Sequence, residues 1–286
     1  MKYLVLIIPV LAIACQHNPN ARGKGASPIS VAPGPATRPA RGPFADQNLT
    51  HTHSDGDVFV LLDVYTMKAP LGAISKNDEF WKLIDQEHVD QANHDLLLRN
   101  GIRYGIGDSN DWEKKFKPIF DQAGATSQKG SVDIRRAAVT EMPMRTGIEQ
   151  QDLFFINDSG KLYGRTYQHC DNLFVFAFSP APDNPWNTRL SMSAIVRDLR
   201  YEFVVTERNQ VTEVERKRPD YLYDLKLSAL VPQDHFLVVA PSADVDMPCN
   251  LGGTFLTQPA GAQPMETVLL LVPRTGQLRE QVSTGK

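Results

Sequence analysis

Charge of neither sign dominates this chain: 30 Lys and Arg face 33 Asp and Glu, a net charge of −3, and there are only seven His. That balance does not point to a nucleic-acid partner. The motifs of common chemistry are missing as well. There is no G-x-S-x-G elbow, no H-E-x-x-H, no C-x-x-C and no pair of carboxylates on one readable face. Gly101, Gly105 and Gly107 are not in G-x-G-x-x-G order and no G-K-[ST] follows them, so strand and cap geometry accounts for them better than a phosphate loop. No cofactor is expected, no catalytic residue stands out, and an enzyme is the weaker reading. After the N-terminus no apolar run approaches the roughly 18 residues that a spanning helix needs. With 42% apolar residues in 286, the chain is nevertheless rich enough to bury a core.

Gly and Pro totals of 19 and 20 are ordinary, but they average two unlike regions. Met1 and Lys2 precede an apolar run from Tyr3 to Ala14, closed by Cys15, which reads as a secretory signal over residues 1–14. Leu11-Ala12-Ile13-Ala14-Cys15 resembles the lipobox of bacterial lipoproteins, with Leu one residue further from the Cys than is usual. The resemblance implies that Cys15 is lipidated as the first mature residue. Gln16 in place of Asp implies the outer membrane, on its periplasmic face, and acyl chains would anchor the protein without a spanning helix.

Residues 15–56 read as a tether. Pro19, Pro28, Pro33, Pro35, Pro39 and Pro43 fall among Gly, Ala and Ser with almost no large apolar side chains. Forty such residues reach about 35 Å as a flexible coil and about 120 Å when extended. The basic residues Arg22, Lys24, Arg38 and Arg41 precede the first acid, Asp46, and a solvated spacer is preferred to a surface-binding patch. At its end, His51, His53, Asp55 and Asp57 have the residue types of a metal site, but a tetrahedral site draws ligands from distant rigid positions, so a solvated linker is preferred. His88 and His94, six apart, would sit about 120° from each other on a helix and do not form a zinc pair.

The body is expected to be α+β. Over residues 57–127 the pattern predicts a β-α-α-β-α module: a strand over Val58–Tyr65 covered on both faces, a helix opened by a Ser75/Asp78 capping box, and a helix over Val89–Arg99 ended by Gly101. A strand over Ile102–Ile106 follows, then a helix capped by Asn110 that Pro118 kinks or restarts. Over residues 128–275 the period becomes alternating and predicts a mostly antiparallel β-rich domain of seven or eight strands, with a hairpin turn at Asn157-Asp158-Ser159-Gly160 and another at Arg208-Asn209-Gln210. The run Glu213–Arg218 reads as a solvated face, and residues 276–286 as a polar tail. An exported chain allows a Cys170–Cys249 disulfide, although two buried thiols fit the sequence equally. His169 and Cys170 suggest a nucleophile and base, but neighbours in a strand point to opposite faces and could not share a proton without a bulge, so a structural role for both is preferred.

Phe236–Val239, Met247-Pro248, Leu251-Gly252, Phe255 and Glu266–Arg274 are similar to the closing segment of the secretin domain, over about a seventh of the chain. That resemblance implies a ring-forming envelope component with small α/β modules ahead of a β-rich domain. The sequence as a whole favours a lipid-anchored envelope protein acting through binding or assembly. Its expected partners are the membrane, through the N-terminal lipid, and an envelope protein or further copies of itself. A secretin-like ring component is one alternative, and an envelope hydrolase or metal-binding protein with a dispersed site is the other.

Overall fold

The computed structural model describes residues 58–87, 89–134, 138–205, 211–243, 248–258 and 263–277. Strand β1 (Val58–Pro70) is the long apolar run at the start of the body, and it is covered on both faces. Val60, Leu62 and Val64 join one core cluster while Tyr65, Met67 and Ala69 join the other. This is the two-faced burial that a nearly unbroken apolar strand requires. Helices α1 (Asp78–Lys82) and α2 (Gln91–Arg99) follow, then β2 (Ile102–Asp108). Gly101 takes φ +82° after α2, as a helix-ending glycine should. The segment expected as one helix after Asn110 is three short pieces: a 3-10 turn (Ser109–Asp111), a π turn (Trp112–Phe116) and α3 (Lys117–Gln122) with Pro118 in its first turn. Proline lacks the N–H that an interior helical position must donate, so the helix restarts there.

The remaining strands are β3 (Thr126–Ile134), β4 (Ala138–Ile156), β5 (Leu162–Pro180), β6 (Thr188–Val205), β7 (Val211–Val231), β8 (His235–Pro241), β9 (Thr257–Gln258) and β10 (Met265–Gln277), with α4 (Leu251–Leu256) before β9. All pair antiparallel in two sheets, one ordered β2-β8-β10-β1-β3 with β9 on β10, the other β4-β5-β6-β7. The protein is therefore mostly antiparallel β with a few short helices. The expected boundary at residues 127 and 128 falls inside β3 and does not separate the sheets. β8 and β10 lie between β2 and β1 in the first sheet, so the early strands do not pair with each other. The reason is packing: Leu269 and Leu271 of β10 face one core, Val268, Leu270 and Val272 the other, and such a strand must sit mid-sheet.

The first sheet is a middle layer. Its outer face carries α1, the π turn and α3 through Phe80, Trp81, Trp112, Phe116, Phe120 and Phe236. Phe80 meets Trp81, Phe116 and Phe120 edge-on at 5.3, 5.8 and 5.5 Å, contacts that each add about 0.5–1.5 kcal/mol beyond area burial. Its inner face packs on the second sheet, α2 and α4. Ser75 does not cap α1. Asn77 does, accepting from the Phe80 N–H at 2.9 Å, while the Ser75 hydroxyl donates to Glu266 at 2.6 Å. The segment similar to the secretin closing pattern supplies β8, α4 and β10, with Leu251, Gly252 and Phe255 buried. No helix among the described residues is long and apolar enough to cross a membrane.

Candidate functional site

The second sheet consists of two long hairpins joined along only half their length. β5 pairs with β6 from Asp171 to Pro180, whereas its first half, Leu162 to Cys170, pairs with β4 alone. The turn between β4 and β5 is the expected one: the Asn157 carboxamide oxygen accepts from the Ser159 hydroxyl and the Lys161 N–H, both at 2.9 Å. The free arm of this hairpin curls over to β7. The Arg165 guanidinium pairs with Asp220, and the Tyr167 hydroxyl donates to the same carboxylate at 2.8 Å. Burial, reinforced by that carboxylate, raises the Tyr167 phenol above its ordinary range.

β7 carries an irregularity at this point. Ser193 faces Lys226 and Ile195 faces Tyr221, so residues 222–225 all stand opposite Ala194. Strict alternation breaks: Leu222 and Leu225 both turn inward, and Tyr221, Tyr223 and Asp224 face out. The rings of Tyr221 and Tyr223 stack at 4.9 Å with 8° between planes. Across from them Phe155 and Tyr163 stack at 5.8 Å and 20°, with the Arg165 guanidinium 5.9 Å from the Phe155 ring.

Between these two stacks lies a groove of about 290 Å³, lined also by Asn157, Leu222, Asp224 and Leu225. Three of its four rings are open to solvent, Tyr163 at 43%, Tyr221 at 40% and Tyr223 at 67% exposure, while Phe155 is buried beneath Tyr163. Among the described residues the hydroxyls of these three tyrosines, the Asp224 carboxylate and the Asn157 amide nitrogen have no hydrogen-bond partner. Scattered exposed apolar residues mean little, but clustered aromatic faces beside polar groups available to a ligand are the composition of a recognition site.

A second cavity of about 440 Å³ is lined by Leu83, Asp85, Ile106, Asp108, Leu230, Pro232 and His235. His235 stands opposite Asp108 in the β2–β8 register, and its Nδ1 lies 2.8 Å from the Gln233 carbonyl oxygen. Asp108 accepts from the Asn110 N–H and amide, and among the described residues no hydroxyl or thiol lines the cavity. A third, of about 350 Å³, opens beside β3 and β4 near Lys129 and Glu141.

Cys15, His51, His53, Asp55, Asp57 and His88 lie outside the described residues. His94 is buried against the Tyr104 ring at 5.2 Å, with neither ring nitrogen hydrogen-bonded. Cys170 is a free, fully buried thiol, so the Cys170–Cys249 bridge is not formed. Burial, with Asp171 and Asp198 adding, pushes the Cys170 thiol up to about 11. His169 is exposed, with φ +47° beside a register irregularity in the β4–β5 ladder. Arg218 is exposed at the end of the charged run. Among the described residues no group of three or more His, Cys, Asp or Glu is placed to hold a metal.

The groove residues escaped sequence reasoning because their signal is weak. Tyr221-Leu222-Tyr223 has strand alternation, yet it continues the pattern of Leu225 to Val231 with the opposite parity, and only a bulge reconciles the two. No protein-family model, no curated protein and no solved structure matches this chain.

Proposed function

We propose that this chain is a lipid-anchored envelope protein that works by binding rather than catalysis, with residues 58–277 presented as one body at the end of the Pro-rich tether. The aromatic groove between the β4–β5 arm and β7 is its recognition surface. The observation that carries the reading is the pairing of solvent-open tyrosine faces with polar groups that have no intramolecular partner. Stacked aromatic rings lining a groove, with water-exposed hydroxyls and a carboxylate available to bond a ligand, have the composition of a binding surface. The lipobox-like segment ending at Cys15 supports the anchor, and its Gln16 supports the outer membrane.

Two measurements test this. Cys15→Ala should move the protein from the membrane to the soluble fraction; a variant that still pellets with membranes refutes the anchor. Mild iodination should label Tyr221 and Tyr223 readily in purified protein and poorly in isolated envelopes, where the groove is occupied. Equal labelling in both refutes the groove as the recognition surface.

A further inference from the structure

Resting on the reading of the groove as a recognition site, we infer that its ligand is an uncharged oligosaccharide, held with a sugar ring flat against an exposed tyrosine face. Ring geometry comes first. Tyr221 on Tyr223 and Phe155 on Tyr163 are each nearly parallel, 8° and 20° between planes, so every ring gives one face to its partner and at most one to a ligand. Two flat platforms result, whereas a cage for a quaternary ammonium group needs rings closing around the cation from several sides. A pyranose has a flat face of C–H groups that covers an aromatic face, and hydroxyls at its edge that both donate and accept.

The rim matches that edge. Three tyrosine hydroxyls donate and accept, Asp224 accepts, and the Asn157 amide nitrogen donates. Arg165, the only guanidinium lining the groove among the described residues, is already paired with Asp220. With Asp224 left over, the groove bears a net negative charge and repels the phosphates of a nucleic acid whose bases would otherwise stack there. β7 is an edge strand, but residues 222–225 interrupt its ladder, so an extended peptide cannot add a continuous strand across the groove. A cleft of about 290 Å³ lies at the small end for ligand sites and suits one sugar unit at a time.

The test is calorimetric titration of the full chain with three probes: chitotriose, maltotriose and a polyproline decapeptide. At least one trisaccharide should bind. Tyr223→Ala and Tyr221→Ala should each weaken it roughly 2- to 12-fold, the range of a single aromatic contact. Tyr223→Phe should keep most of the affinity, since the stacking face remains, and Asp224→Asn should weaken binding without changing the melting temperature. Polyproline binding that depends on the tyrosines, with no binding of either sugar, overturns the saccharide inference and leaves the groove a recognition site. Sugar binding unaffected by any of the four substitutions overturns the inference by placing the sugar elsewhere. No binding of any probe overturns it as well, and the iodination result then decides separately whether the groove is used at all.

Discussion

Replacing Glu266 should be among the most damaging single changes in the body. Its side chain on β10 is fully buried, yet all of its acceptor positions face donors from one short turn. Oε1 accepts from the Ile74 and Ser75 N–H groups at 2.6 and 3.1 Å, and Oε2 from the Gly72 N–H at 2.9 Å and the Ser75 hydroxyl at 2.6 Å. The carboxylate thus ties the 71–76 turn to a strand 191 positions later in the chain. Glu266→Ala leaves three backbone donors facing an apolar gap, each costing about 1–3 kcal/mol when unsatisfied. Partial hydration of the Gly72 group lowers the sum, and we expect a loss of about 3–5 kcal/mol, a large share of the 5–15 kcal/mol typical of a folded domain. For a body of this size that is a drop of about 6–20 °C in melting temperature. Glu266→Gln should lie between: the Ser75 hydroxyl can rotate to accept from the new amide, but the Gly72 N–H then faces another donor, a cost of about 1–3 kcal/mol. Urea unfolding of the purified chain measures the loss, and native-state hydrogen exchange locates it at the Ile74 and Ser75 amides. A Glu266→Ala variant within about 0.5 kcal/mol of the parent, or one whose exchange at those amides is unchanged, refutes the reasoning.

Asp63 is buried on β1 between Lys129 at 3.0 Å and Arg274 at 2.7 Å. Asp63→Ala, which leaves those cations without their carboxylate, should lower unfolding free energy by about 3–5 kcal/mol; a loss below about 1 kcal/mol would show that water already screens the site. Gly252→Ala should destabilise despite alanine's better helix propensity, because the added Cβ would come within 1.8 Å of the Gly101 carbonyl oxygen. The overpacking cost, about 1–3 kcal/mol or more, exceeds the roughly 1 kcal/mol propensity gain, and an unchanged or raised melting temperature would refute this contact. The Cys170 thiol should resist alkylation at pH 8 in the native state and react once urea unfolds the chain, followed by peptide mass mapping. Because its folded value is raised, the unfolded thiol ionises first, near 9, so stability holds below that pH and declines as pH rises towards about 11. Tyr104 and Tyr167, also raised by burial, act in the same direction, and a stability profile that rises between pH 9 and 11 would contradict all three.

Local signals in the sequence were reliable where one short segment decides the outcome. Asn157 to Gly160 makes its turn from its own side chains, Gly101 ends α2, and Pro118 restarts a helix because its ring cannot sit in the interior. Ser75 shows the limit. Three residues before Asp78 it has the spacing of a cap, but a carboxylate from β10 competes for its hydroxyl and takes it. Spacing cannot register a competitor so far away in the chain.

By itself the sequence determined the lipobox-like segment, the Pro-rich stretch after it, a β-rich character beyond residue 128 and a first strand covered on both faces, since composition and alternation state which residues must leave water. Alternation states a face and never a neighbour. Only the tertiary structure decided that β8 and β10 separate β2 from β1, that Cys170 is buried apart from any disulfide, and that Tyr163 and Tyr223 share a groove. Each of these depends on which strands pair and where a ladder slips by a few residues. Those choices come from filling two cores at once, a condition that no local window of sequence contains.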